Sequence, residues 1–260
     1  MAEAFFLRDG NSFVPTELTR GPWDPKAQHG GPPAALLASA LEGCERREDM
    51  MMVRMTFEIL KPIPLVPLTA SAKLQRGGRS VHLVAGALSA GGEEVLRAQA
   101  VRIRVTDIDV PEPPSTQLAG PEAGNAPRYF RPVNETGYHT AMEVSFIRGN
   151  FDELGPAMVW MRMRVPLIAG EPITPLSRAL VAADSGNGVS SSLEYRRFIF
   201  VNPDLTVYLH RYPVGEWICL EAETTATRRG VGLAVSTISD LHGPVGRGLQ
   251  SLFIAARSSQ

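Results

Sequence analysis

A segment of this chain occurs twice, and that repeat limits the possible folds more than any other feature. Thr56-Phe57-Glu58-Ile59-Leu60-Lys61 aligns with Thr206-Val207-Tyr208-Leu209-His210-Arg211 at an offset of 150. Without a gap, the same offset pairs Ala72 with Ala222, Val81 with Val231, Leu83 with Leu233, Ser89 with Ser239, Val95 with Val245 and Arg97 with Arg247. Turns fall on turns, with Arg76–Arg79 against Ala226–Arg229 and Gly91-Gly92 against Leu241-His242, next to Gly243. Ordered agreement of this kind indicates two copies of one structural unit.

The first copy shows the plan of the unit. Phe5-Phe6-Leu7 and Phe13-Val14 flank the turn signal Asp9-Gly10-Asn11 and predict an opening hairpin. His29 to Gly43 follows, a run of small and aliphatic residues with Gly30-Gly31-Pro32 at its start and Gly43 as its expected C-terminal cap. A helix of about 11 residues that is apolar nearly all round is buried, and it is far too short to span a bilayer. Strand-like runs then cover 51–60, 68–75, 79–89 and 94–105, separated by Pro-rich and Gly-Gly turns. The helix recurs as Thr174-Pro175 through Ala183-Asp184-Ser185-Gly186. Each half is therefore expected to hold a short hairpin, a buried helix and about four long antiparallel strands. Between the halves, residues 111–132 carry Pro111, Pro113, Pro114, Pro121 and Pro127 without periodicity, which reads as a linker. The expected domains are 1–110 and 133–260.

A formal charge of −1 argues against a general nucleic-acid or membrane-surface role. Cys44 and Cys219 have neither metal spacing nor a disulfide framework, and they read as buried small hydrophobes in a reducing compartment. Arg8, Asp9 and Asn11 interrupt any apolar run near the start, so no signal peptide is expected and a cytoplasmic location is. His29, His82, His139, His210 and His242 show no metal-ligand spacing, and no Gly-x-Ser-x-Gly elbow is present. Neither a metal nor a bound cofactor is expected.

A long sheet that curls around one apolar helix, twice over, is a double hotdog, an α+β fold. Arg20-Gly21-Pro22-Trp23, then Gln28-His29-Gly30-Gly31 and an Ala/Leu helix, resembles the N-terminal signature of the thioesterase-like superfamily related to acyl-CoA thioesterase II. The resemblance implies hydrolysis of a fatty acyl-CoA by an activated water, a role in fatty acid metabolism, and a catalytic set of an aspartate, a hydroxyl residue and a glutamine. On this sequence those positions match Asp204, Thr225 (with Thr224 one residue away) and Gln250. The first helix would supply the Gly30 and Gly31 amides as the oxyanion site. His29 is more simply a structural hydrogen-bonding residue than a base, and it is placed with Arg76, Arg79 and Arg228 as a substrate-binding candidate. Arg76, Arg79, Arg228 and Arg229 are either solvated turn residues or contacts for coenzyme A phosphates.

A carboxylate can take a proton from water while a hydroxyl and an amide hold that water in place. At the repeat offset Asp204, Thr225 and Gln250 align with Arg54, Gln75 and Ala100, so one active centre per chain is expected. Asp204, after Asn202-Pro203, has a plainer reading as a turn residue. Two other functions fit the same fold: a non-catalytic acyl-CoA or lipid-binding protein, and an enoyl-CoA hydratase. The hydratase reading suffers from Leu209, which stands five residues after Asp204 where that chemistry uses a histidine. Hotdog edges associate readily, and a homodimer of double hotdogs is the expected assembly.

Overall fold

The computed structural model describes residues 3–111, 118–129 and 135–257. The first half contains β1 (Phe6–Asp9), β2 (Ser12–Pro15), α1 (Gly31–Gly43), β3 (Met50–Ile59), β4 (Leu68–Arg76), β5 (Val81–Ala90) and β6 (Glu93–Arg104). The second contains α2 (Tyr138–Ala141), β7 (Met142–Arg148), β8 (Ala157–Met163), α3 (Pro175–Ala183), α4 (Gly186–Val189), β9 (Phe198–Val201), β10 (Asp204–Leu209), β11 (Trp217–Ala226), β12 (Val231–Asp240) and β13 (Gly243–Ala256). β3, β5 and β6 recur as β10, β12 and β13 at the repeat offset.

All of the strands belong to one antiparallel sheet of order β1-β2-β4-β5-β6-β3-β10-β13-β12-β11-β8-β7, with β9 paired to the far end of β13. The order is palindromic about the β3–β10 pair. At that seam Thr56 lies opposite Thr206, and the Thr206 hydroxyl donates to that of Thr56 at 3.2 Å. Two residues related by the repeat offset are thus in register with each other. Joining the two sheets here removes an exposed edge from each half.

α1 and α3 pack against one face of the sheet, as a double hotdog requires. Leu36, Leu37 and Leu41 from α1, Leu176, Leu180 and Val181 from α3, and Met55, Phe57, Val207 and Leu209 from the central strands share one core. The Thr174 hydroxyl caps α3 by accepting from the Ser177 amide at 3.1 Å. α1 ends differently from the sequence expectation. Gly43 is its last helical residue, and the left-handed conformation falls on Glu45, at φ 43°. The Arg102 guanidinium donates to the Cys44 carbonyl at 2.8 Å, so an arginine from β6 satisfies the helix end that a glycine cap would have closed.

Part of the Pro-rich stretch lies along the second half. Asn125 exchanges two backbone hydrogen bonds with Phe146, both 2.8 Å, and the Trp160 indole donates to the Ala119 carbonyl at 2.8 Å. Residues 112–117 and 130–132 of that stretch lie outside the described residues. Cys44 and Cys219 are free thiols. Burial pushes the Cys219 thiol up to about 12, so it behaves as the apolar residue expected. Among the described residues no helix is long and apolar enough to cross a membrane, and no cluster of three or more His, Cys, Asp or Glu could hold a metal ion.

Where α1 crosses α3 the backbones nearly touch. A β-carbon on Gly31 would lie 2.5 Å from the Val181 carbonyl oxygen, too close without displacing a helix. Gly31→Ala is therefore expected to destabilise the protein by about 1–3 kcal/mol, read as a lowered midpoint in thermal or urea unfolding.

Candidate active site

The crossing of α1 and α3 sets the geometry of the site. α1 begins Gly31-Pro32-Pro33, and the two prolines carry no N–H, which leaves the amides of Gly30 and Gly31 as the donors at this helix start. The Gly31 amide approaches His29 Nδ1 at 3.1 Å. The His29 ring stacks on Tyr138, with centroids 3.7 Å apart and planes 8° from parallel. Tyr138 is held in turn: its hydroxyl donates to the Val181 carbonyl at 2.8 Å and contacts Ser185 Oγ at 3.0 Å. Burial raises the Tyr138 phenol well above its ordinary value, so it stays neutral.

Directly below this clamp, at the end of α3, lies Asp184, 6% exposed. Its Oδ1 accepts from Asn202 Nδ2 at 2.9 Å and from Gln250 Nε2 at 3.2 Å, and its Oδ2 lies 3.1 Å from His29 Nδ1. Burying a carboxylate is costly unless donors replace its water, and the Asn202 and Gln250 amides do so in part. A carboxylate offers about four acceptor positions, and one on Oδ2 has no donor among the described residues. A β-carbon on Gly30 would stand 2.8 Å from Oδ2. The absence of a side chain at Gly30 therefore lets the backbone pack closely against the carboxylate.

Gln250 is the sequence-predicted residue that the structure places in this network. It is 2% exposed, donates also to the Asp184 carbonyl at 3.1 Å, and accepts from the Asn187 amide at 3.0 Å through Oε1. Asp204 does not join it. On β10, Leu205, Val207 and Leu209 face the core, so Asp204 falls on the outer face, where its carboxylate accepts from the Ser251 amide at 2.7 Å. Gln250 and Ser251 are consecutive on β13 and point to opposite sides of the sheet. Thr225 likewise lies outside the network. It is exposed on β11, whereas Thr224 faces inward and its hydroxyl lies 2.8 Å from that of Ser190 in the turn after α4.

Ser190 Oγ in turn donates to the Gly186 carbonyl at 2.8 Å, so Thr224 anchors α4. Thr224 and Gln250 are both in register with Ala234 on the intervening strand, two strand spacings apart. Gly31 lies at the helix crossing and directs its amide to His29, while Gly30 faces the carboxylate. His29, expected to be structural, contacts that carboxylate directly. Arg76, Arg79 and Arg228 are exposed at the β4–β5 and β11–β12 turns and line neither cavity beside the network, and nor does Arg229.

Two cavities meet at the network. The inner one, about 120 Å³, is largely apolar and is walled by Tyr129, Tyr138, Met142, Val144, Phe151 and Met161. The outer one, about 340 Å³, reaches Gly30, Asp184, Asn202 and Lys61. Trp23, His29 and Asn187 line both. Asp184, Asn187, Asn202 and Tyr138 escaped sequence reasoning. The one available signal was an acid directly after the apolar run Ala179–Ala183, a position that reads equally well as a helix end.

Burial lowers the His29 pKa from 6.5, and the charge of Asp184 opposes that shift. Replacing Asp184 by Asn removes the opposing charge, so the imidazole titration, followed by NMR, is expected to move lower still. An imidazole that is buried neutral binds its proton more readily in the unfolded chain. Its contribution to stability is therefore present above pH 6.5 and is lost as the pH falls below that value toward the native pKa.

Comparison with known proteins follows the same geometry. The profile of the acyl-CoA thioesterase N-terminal domain matches residues 19–103, and that of the C-terminal domain matches residues 109–254. Among solved structures, a conserved hot dog fold protein from Alicyclobacillus acidocaldarius superposes with a TM-score of 0.73 at 19% identity, covering 98% of this chain and 96% of that one. The acyl-CoA thioesterase II TesB2 of Mycobacterium marinum gives 0.68 at 15% identity, covering 97% and 94%. A tesB protein of Mycobacterium avium subs paratuberculosis gives 0.64 at 16% identity, covering 96% of each chain. A search of curated sequences finds no match. The two domain profiles, which together span most of the chain, show that it belongs to the acyl-CoA thioesterase family, with the double hotdog fold.

Proposed function

We propose that this protein hydrolyses a fatty acyl-CoA thioester to the free acid and coenzyme A, with Asp184 as the general base. The observation that carries the reading is the acceptor position on Asp184 Oδ2 that no described residue fills, on the wall of the outer cavity, which shares Trp23, His29 and Asn187 with the inner one. The acyl chain is assigned to the inner cavity, against Met142, Val144, Phe151 and Met161. The thiol arm leaves through the outer one past Lys61.

A water on Oδ2 attacks the thioester carbonyl carbon and gives its proton to Asp184. The tetrahedral intermediate then expels the thiolate, which takes up a proton to become the free thiol. Gln250 and Asn202 hold the carboxylate in place through Oδ1 and leave Oδ2 for the water. His29 Nδ1 lies equally near the Gly31 amide, which needs an acceptor there, and Asp184 Oδ2, which needs a donor. In the neutral ring Nδ1 accepts the Gly31 N–H, and Asp184 Oδ2 lies beside that nitrogen without receiving a proton from it. The non-catalytic alternative lacks a specific observation in its favour, because a binding protein has no use for a buried carboxylate with an acceptor position left open. For the hydratase alternative, the outward position of Asp204 removes the aspartate that it required.

Thiol release from a series of acyl-CoA thioesters tests the reading. Asp184→Asn, folded, is expected to lose about 10²–10⁴-fold in kcat. Gly30→Ala is expected to lose activity as well, because its methyl group would press on the Asp184 carboxylate and displace it, while Asp204→Asn is expected to keep the parent rate. An Asp184→Asn protein as active as the parent would sink the proposal.

A further inference from the structure

We infer that Asn187 is the side-chain donor that binds the thioester carbonyl oxygen, a role that rests on the hydrolase reading above. Asn187 is 4% exposed, and its Nδ2 has no hydrogen-bond partner among the described residues. Leaving a buried amide N–H unpaired costs about 1–3 kcal/mol, so a native structure that keeps one calls for an explanation. Other buried side-chain atoms here also lack partners, but they are placed differently. Arg20 Nε belongs to a residue lining only the inner cavity, and Gln28 Oε1, an acceptor, to one lining only the outer. Arg54, His82, Arg102 and Ser192 line neither. Asn187 alone in this group lines both.

That position is the one a reacting carbonyl must occupy. In a thioester the carbonyl carbon joins the acyl chain to the sulfur, so it sits where the acyl cavity meets the thiol cavity. Attack from the Asp184 side turns the carbonyl oxygen into an oxyanion, and a primary amide offers N–H groups to it without giving up a proton. The backbone is fixed for this task. The Asn187 amide donates to Gln250 Oε1 at 3.0 Å, and Gln250 Nε2 holds Asp184 at 3.2 Å, so a single glutamine sets the spacing between the base and this donor. The side chain that completes the pair is the buried amide left unpaired.

The test compares Asn187→Ala and the isosteric Asn187→Asp with the parent, using hexanoyl-CoA and lauroyl-CoA as substrates and S-hexyl-CoA, a thioether without a carbonyl, as a binding probe. Asn187→Ala is expected to lower kcat by about 10²–10³-fold with KM within a few-fold. Asn187→Asp, which replaces the amide NH₂ with an oxygen, is expected to lose at least as much. The thermal midpoint and the affinity for S-hexyl-CoA stay at parent values, which a merely structural role would not leave in place. A parent-like kcat in either variant overturns the assignment and leaves the Asp184 mechanism standing, as does a loss that falls on KM or on S-hexyl-CoA binding. A parent protein that releases no thiol from either substrate overturns the hydrolase reading itself.

Discussion

The close approach of α1 to α3 is the contact on which the rest of the site depends. Gly31 lies against the Val181 carbonyl with no room for a side chain, and that contact brings His29 and Gly30 from the first half to Asp184 at the end of α3. Separate the helices by the width of a methyl group and the carboxylate loses its imidazole neighbour. Tyr138 reinforces the crossing from the side by stacking on His29 and holding the Val181 carbonyl, so the position of the ring and the path of α3 are set by one residue. A site built across two halves in this way needs both to be folded before any of its chemistry exists.

The repeat makes the halves alike in backbone and different in chemistry. Gln250 aligns with Ala100 and Thr224 with Leu74, all four on the inner face of the sheet. In the first half those positions complete an apolar core, with Ala100 1% exposed. In the second they are polar, and each finds its partner on α4 or at the end of α3. Polar groups buried in a core are tolerated only when their hydrogen bonds are met, and the short helix α4 meets most of them here. The Asn187 side-chain nitrogen is left without a partner among the described residues, and Asn187 lines both cavities.

Much of the fold was legible because it depends on periodicity. The repeat, the apolar helices and the alternation of the long strands all report local choices between burial and exposure, and the structure keeps them within a few residues. Gln250 could be found for the same reason, since a glutamine on the inner face of an apolar strand needs partners. The resemblance placed the catalytic carboxylate on Asp204, at the opening of a strand, and alternation puts that side chain on the outer face. The carboxylate that meets Gln250 is Asp184, 20 residues earlier at the end of the other helix. A one-residue difference separates Thr225, in solvent, from Thr224, against Ser190, because side chains on a strand alternate with period two.

By itself, the sequence determined the two repeated units, their apolar helices and their long strands, because hydrophobic periodicity encodes these in neighbouring residues. Only the tertiary structure decided which acid meets the glutamine, which glycine packs against that acid and which amide is left unpaired. Those outcomes depend on the crossing of two helices 144 residues apart in the chain, measured between their first residues Gly31 and Pro175, and no local pattern records where two distant backbones touch.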